Sequence, residues 1–181
     1  ANTHHLSDKP ADLPAPQVLI GGYGRVGHTI AILLKSSGVD FVAFDTDLTR
    51  VQQGRTDGHV VLYGDIADAE LLAAAKAERA SLAIVTVDSH AVALRTVTAL
   101  RQHCPHVPVI ARARDLQTSS ALIDAGAVHA FPEAIESSLR LGATALRMLR
   151  IPTIDIDRML QDIRDGAYQP VIETPIKENA Q

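Results

Sequence analysis

The chain has 181 residues, 46% of them hydrophobic and 21% charged. That is enough to bury one Rossmann-sized core with a short extension, and too little for a dehydrogenase with a separate substrate domain. A formal charge of -4, 3% aromatic residues and no Trp supply neither the basic groove nor the stacking rings that single-stranded nucleic acid needs, so no nucleic-acid partner is expected. The lone Cys104 forms no intrachain disulfide and suits a reducing compartment. With no signal peptide and no apolar run of about 20 residues, the fragment reads as soluble and cytosolic.

Residues 1–16 hold three prolines and no apolar periodicity, the pattern of a linker. The absence of an initial Met suits a piece excised from a longer polypeptide, and His4 and His5 read as an incidental polar pair. From Val18 onward short apolar runs alternate with helix-patterned segments, the signature of βαβ units. The expected fold is α/β and Rossmann-like, a mostly parallel six-stranded sheet with helices on both faces. Strands are expected at 18–20, 41–44, 60–63, 82–86, 109–111 and 128–131. Val26, Ile30, Leu33 and Leu34 follow helical spacing and are expected to lay one apolar face on the sheet, with Gly38 as the exit. Further helices are expected around 67–77, 90–103 and 116–125, the last stopped by Gly126.

Segment 133–150 carries two apolar stripes: Ile135, Leu139, Gly142, Leu146 and Leu149 in one, Ala134, Leu141, Ala145 and Met148 in the other. Glu133, Glu136, Arg140, Arg147 and Arg150 occupy mainly the remaining face. A peripheral helix of a monomer needs one buried stripe, so the second favours packing between subunits, the alternative being a wide helix on its own sheet. Pro152 ends it, and 155–164 reads as a final short helix before a polar tail.

The strongest local signal is the apolar strand running directly into Gly22-Tyr23-Gly24-Arg25-Val26-Gly27, a G-x-G-x-x-G pattern. Gly22 permits the tight turn, Gly24 lets backbone approach a phosphate, and Gly27 allows close helix-to-strand packing. Free amides at the following helix start then face an anion with the favourable end of the helix dipole. Asp45, about 20 residues on, closes the second strand, where a carboxylate accepts hydrogen bonds from ribose hydroxyls and repels a 2′-phosphate. An adenosine ligand such as AMP or NAD(H) is therefore favoured over NADP.

Other strand ends open on the same crevice. Thr46 and Asp47 follow the second strand, Gly64 and Asp65 the third, Thr86 and Asp88 the fourth; Asp47, Asp65 and Asp88 serve equally well as helix N-caps. Arg25 is placed to reach a phosphate, a partner or solvent. Of Arg112 and Arg114, after the fifth strand, at most one is expected to face the ligand, the two pointing to opposite sides. His103, Cys104 and His106 sit at a helix-to-strand junction with Pro105, a poor arrangement for a metal. Ser89 and His90 are neighbours in sequence only. No G-x-S-x-G, H-E-x-x-H or Walker A lysine occurs, so hydrolase and NTPase machinery is absent.

Together with Asp45-Thr46-Asp47, Tyr63-Gly64-Asp65, Ile110-Ala111-Arg112-Ala113-Arg114-Asp115 and Ala125-Gly126-Ala127, the glycine turn resembles the RCK (KTN, or TrkA-N) regulatory domains of Kef-type potassium/proton antiporters, over about 18–149. The resemblance implies a linker at 1–16, a nucleotide-binding domain at 17–132, dimerisation helices at 133–168 including a crossover helix, and a tail at 169–181. It implies a non-enzymatic domain at the cytoplasmic face of the inner membrane, fused to a membrane antiporter domain, homodimeric, and binding AMP or NAD(H) as an effector of ion flux; AMP is preferred because the motifs give no clear second mononucleotide half for a nicotinamide. Glutathione-gated members of that family carry an arginine before the Ala-Gly turn and an asparagine in the C-terminal extension. Ile123 and the Asp165-Gly166 region stand there, so the resemblance does not extend to glutathione control. A small NAD-dependent oxidoreductase and a separate Trk-type channel subunit are the alternative readings.

Overall fold

The computed structural model describes residues 14–172; most of the expected linker, His4 and His5 included, and most of the expected tail lie outside the described residues. Six strands form one parallel sheet: β1 (Val18–Gly21), β2 (Phe41–Asp45), β3 (Val61–Tyr63), β4 (Leu82–Val85), β5 (Val109–Ala113) and β6 (His129–Pro132). Their order is β3-β2-β1-β4-β5-β6, with Val18 opposite both Phe41 and Leu82. The order reverses between β1 and β4, which opens a crevice at the carboxyl ends of those strands.

Alternation along the strands supplies two cores. Val18, Ile20, Ala43, Val61 and Ile84 face one side with Ala31 of α1 (Arg25–Ser36) and Val51 of α2 (Leu48–Thr56). Leu19, Val42, Phe44, Val85 and Val109 face the other. There they pack with Leu72 of α3 (Ala69–Ala74), Val97 and Leu100 of α4 (His90–His103) and Leu122 of α5 (Leu116–Asp124). Burial of both faces explains why the strands read as continuous apolar runs.

Three local expectations change. In α1 the buried line is Gly27 and Ala31, flanked by Ile30 and Leu34, while Leu33 is 63% exposed. Close approach of α1 at Gly27 turns the helix so that Leu33 falls off the inner face. The helix expected at 67–77 is only six residues long; Lys76 adopts φ 56° and a 3-10 turn, Ala77–Arg79, follows. Finally β5 runs through Arg112 to Ala113, and residues two apart in a strand share a face. Arg114 therefore diverges from Arg112 because it lies past the strand end, exposed, not because the strand alternates.

The chain falls into two compact units, the first ending at Glu133 and the second starting at Ala134. The second contains α6 (Glu133–Met148) apart from its first residue, and α7 (Thr153–Asp165). The expected continuation of α6 to Arg150 fails because Arg150 is left-handed, φ 62°. Its N–H donates to the Arg147 carbonyl and the Ile151 N–H to Leu146, a Schellman closure with an arginine in the position glycine usually takes. Within this unit Glu136 accepts two bonds from Arg164, at 3.0 and 2.8 Å, and one from the Tyr168 hydroxyl at 2.6 Å. These bonds hold the Glu136 carboxyl below its usual range, and burial with the adjacent carboxylate pushes the Tyr168 phenol up to about 12. Leu141 and Met148, at 75% and 80% exposure, leave the second stripe of α6 uncovered in the single chain. Among the described residues no helix is long and apolar enough to cross a membrane.

Candidate functional site

The turn after β1 is built by backbone. Gly22 takes φ +106° and donates its N–H to the Phe44 carbonyl at 2.9 Å. A Cβ on Gly27 would lie 2.0 Å from the Gly22 carbonyl oxygen, so only glycine lets α1 start this close to the turn. Gly24 differs: it is the N-cap of α1, extended at φ -80°, and a Cβ there would meet nothing nearer than the Arg50 guanidinium at 3.6 Å. No side chain caps α1, so its first-turn amides face the open side of the turn.

Tyr23 points the other way. Its ring is buried in the core on the α1 side, its hydroxyl meets His59 Nδ1 at 2.6 Å, and burial pushes its pKa up to about 12. Burial and the nearby Lys35 lower the His59 pKa. Tyr23 thus anchors the turn through its ring and hydroxyl, while the residue also lines the larger groove of the site.

Asp45 is 6% exposed at the end of β2. One carboxylate oxygen accepts the Tyr23 N–H at 2.8 Å and the other the Asp47 N–H at 2.8 Å. The carboxylate therefore ties the glycine turn to the second βα turn, and it also lines a small cavity of about 250 Å³ with Gly22, Thr46, Gly64 and Asp65. Arg50, which the sequence reading missed, approaches Asp45 at 3.7 Å and stands over Gly24. Its only sequence signal is a basic residue in the first turn of the helix after β2.

The ambiguous carboxylates separate clearly. Asp47 caps α2, accepting from the amides of Thr49 and Arg50, and faces neither cavity. Asp65 does not cap α3; Asp68 does, while Asp65 accepts the Ala67 N–H and pairs with Arg95 at 2.7 Å. Asp88 does not cap α4 either; Ser89 does, and Asp88 pairs with Arg112. Thr86 is buried and its hydroxyl donates to the Gly22 carbonyl at 2.7 Å, so it braces the turn from beneath. Thr86 also lines the larger groove.

An open groove of about 940 Å³ brings together Gly24, Arg25 and Val26 with Arg50, Thr86, Asp88 and Arg112. Arg25 makes no ion pair among the described residues, whereas Arg112 is held by Asp88 and Glu133. Glu133, expected on the solvent face of its helix, is a second residue the sequence did not single out. The groove thus offers uncapped helix amides and three guanidinium groups, a setting for a phosphate, next to a smaller cavity edged by Asp45. Among the described residues no three His, Cys, Asp or Glu side chains converge on a metal position; Cys104 is buried, and burial raises its thiol pKa.

The model of the TrkA-N domain family matches residues 18–133. The chain is 33% identical over 168 residues to the glutathione-regulated potassium-efflux system protein KefC of Escherichia fergusonii, covering 93% of this chain and 27% of that protein. It is 35% identical over 156 residues to the chloroplastic K(+) efflux antiporter 2 of Arabidopsis thaliana, covering 86% of this chain and 13% of the relative. The chain thus spans about a quarter or less of the length of these curated relatives. Among solved structures it resembles the Shewanella denitrificans Kef CTD in AMP-bound form, with TM-score 0.69, 28% identity, and 84% of this chain and 95% of that one covered. With the family model matching residues 18–133, well over half of the chain, the chain belongs to the TrkA-N domain family.

Proposed function

We propose that this chain is the cytosolic nucleotide-sensing regulatory domain of a potassium (cation)/proton antiporter, binding AMP, or alternatively NAD(H), as an effector and catalysing no reaction. The observation that carries the reading is the uncapped start of α1, opening on a groove with Arg25, Arg50 and Arg112. Phosphate sits at the amides of Gly24 to Gly27, and the ribose meets the Asp45 carboxylate in the smaller cavity together with Thr46, Gly64 and Asp65. The potassium-efflux names of the relatives and the AMP held by the Kef CTD neighbour support the same assignment. In the full-length protein the domain lies at the cytoplasmic face of the inner membrane, joined to the antiporter domain.

Residues 133–168 serve as dimerisation helices, because the uncovered apolar stripe of α6 exceeds what a single chain buries. Sedimentation of the chain, with Leu141→Glu as the monomeric control, tests the homodimer. Calorimetric titration with AMP and NADH tests the ligand. Alanine at Asp45 is expected to weaken AMP binding by about tenfold or more; unchanged affinity removes Asp45 from the site, and absence of any binding overturns the reading. Incubation with NADH and carbonyl substrates separates it from an oxidoreductase, which would turn over.

A further inference from the structure

Arg112 lines the larger groove and is about a quarter exposed. Three groups hold its guanidinium. Nη1 donates to the Thr86 carbonyl at 3.1 Å and to Asp88 Oδ1 at 2.6 Å, Nη2 donates to Glu133 Oε2 at 3.2 Å, and Nε donates to Glu133 Oε1. The two carboxylates are not equivalent. Asp88 accepts a single bond on a side chain 80% exposed, whereas Glu133, 44% exposed, accepts two parallel bonds from the fork. Letting go of Asp88 returns an already hydrated carboxylate to water; letting go of Glu133 breaks a bidentate pair. Glu133 is also the first residue of α6.

Resting on the nucleotide reading above, we propose that Arg112 is an exchange point that reports occupancy of the groove to the first turn of α6. An anionic group of the bound nucleotide replaces Asp88 on the guanidinium. The Glu133 fork carries the resulting movement into the helix that begins there. A ligand shifts a conformational equilibrium only through contacts that differ between the two states. The swap of a protein carboxylate for a ligand anion on one guanidinium is such a difference. It also makes Asp88 a competitor of the ligand, so the ligand-free charge balance sets the affinity.

The test is hydrogen exchange by mass spectrometry on the 181-residue chain with and without saturating AMP, with calorimetry on the same samples. Exchange in 134–139 is expected to change by about twofold or more on AMP binding. Asp88→Asn is expected to bind AMP about three- to tenfold more tightly, its competitor being gone. Glu133→Gln, a near-isosteric change at a half-exposed side chain, keeps AMP affinity within about threefold and loses the change at 134–139. Full AMP binding with no change in that segment, or a change that survives Glu133→Gln, overturns the proposal. Absence of calorimetric binding in the unsubstituted chain removes the nucleotide reading itself, and the exchange point with it.

Discussion

Helices α1 to α5 each leave the carboxyl end of a strand, yet they begin in two different ways. In α2, α3, α4 and α5 a side chain of the chain itself, Asp47, Asp68, Ser89 or Asp115, accepts a first-turn amide, and in α5 Thr118 completes a reciprocal capping box. In α1 the cap position is Gly24, with no side chain to accept anything. Where a helix start is closed by its own carboxylate, the amides are satisfied and the added negative charge repels an anion. Where it is left open beside arginines, the same amides remain for a ligand. The contrast teaches that function is read here from a cap withheld at one helix while its neighbours have theirs.

The largest effect that breaks this contrast is Gly27→Ala. Its Cβ would fall 2.0 Å from the Gly22 carbonyl oxygen, so the open helix start cannot be kept. A loss of about 3 kcal/mol or more is expected in thermal or denaturant unfolding, with loss of AMP binding. Gly24→Asp converts α1 to the other kind of start, and the space around Gly24 and its extended φ accept the side chain. Stability of the ligand-free chain should rise by about 0.5 kcal/mol while AMP affinity falls by about tenfold or more. A stabilised variant that binds AMP as before would show that the phosphate lies elsewhere.

The reverse control is Asp68→Ala at the start of α3, away from both cavities. It should cost about 1 kcal/mol of stability and leave AMP affinity where it was. Smallest is an acid effect at α6, whose first turn spends its carboxylates on arginines. The Glu136 carboxyl is held below its ordinary value by Arg164 and Tyr168. That contribution is fully present above the ordinary carboxylate range and fades as pH falls through the depressed value. Unfolding between pH 7 and pH 3 should therefore show an acid loss that Glu136→Gln makes shallower.

Local rules made much of the architecture readable. Apolar runs with turn residues between them located the six strands, and the glycine turn needed only its own neighbours to be recognised. Other features were hidden by distance along the chain. The weakly patterned 48–56 gave little sign of α2, since only Val51 and Gly54 of that helix are buried. Without α2 the reach of Arg50 over Gly24 had no frame, and the cap role of Asp47, though legible, stood level with a ligand role. Thr86 was readable as a crevice residue because it follows a strand there; its hydroxyl's bond to a carbonyl 64 positions earlier was not. Glu133 looked solvated because its partner, Arg112, lies 21 positions before it.

From the residues alone came the parallel α/β scaffold, the anion-ready turn and the carboxylate that closes β2, because steric limits on glycine and the period of strands and helices act over a few residues. Only the folded chain decided which partners these polar groups hold: Asp45 two amides, Thr86 the turn, Asp88 and Glu133 one guanidinium. Those assignments depend on which strand ends lie side by side, and a hydrogen bond between residues tens of positions apart leaves no period in a sequence.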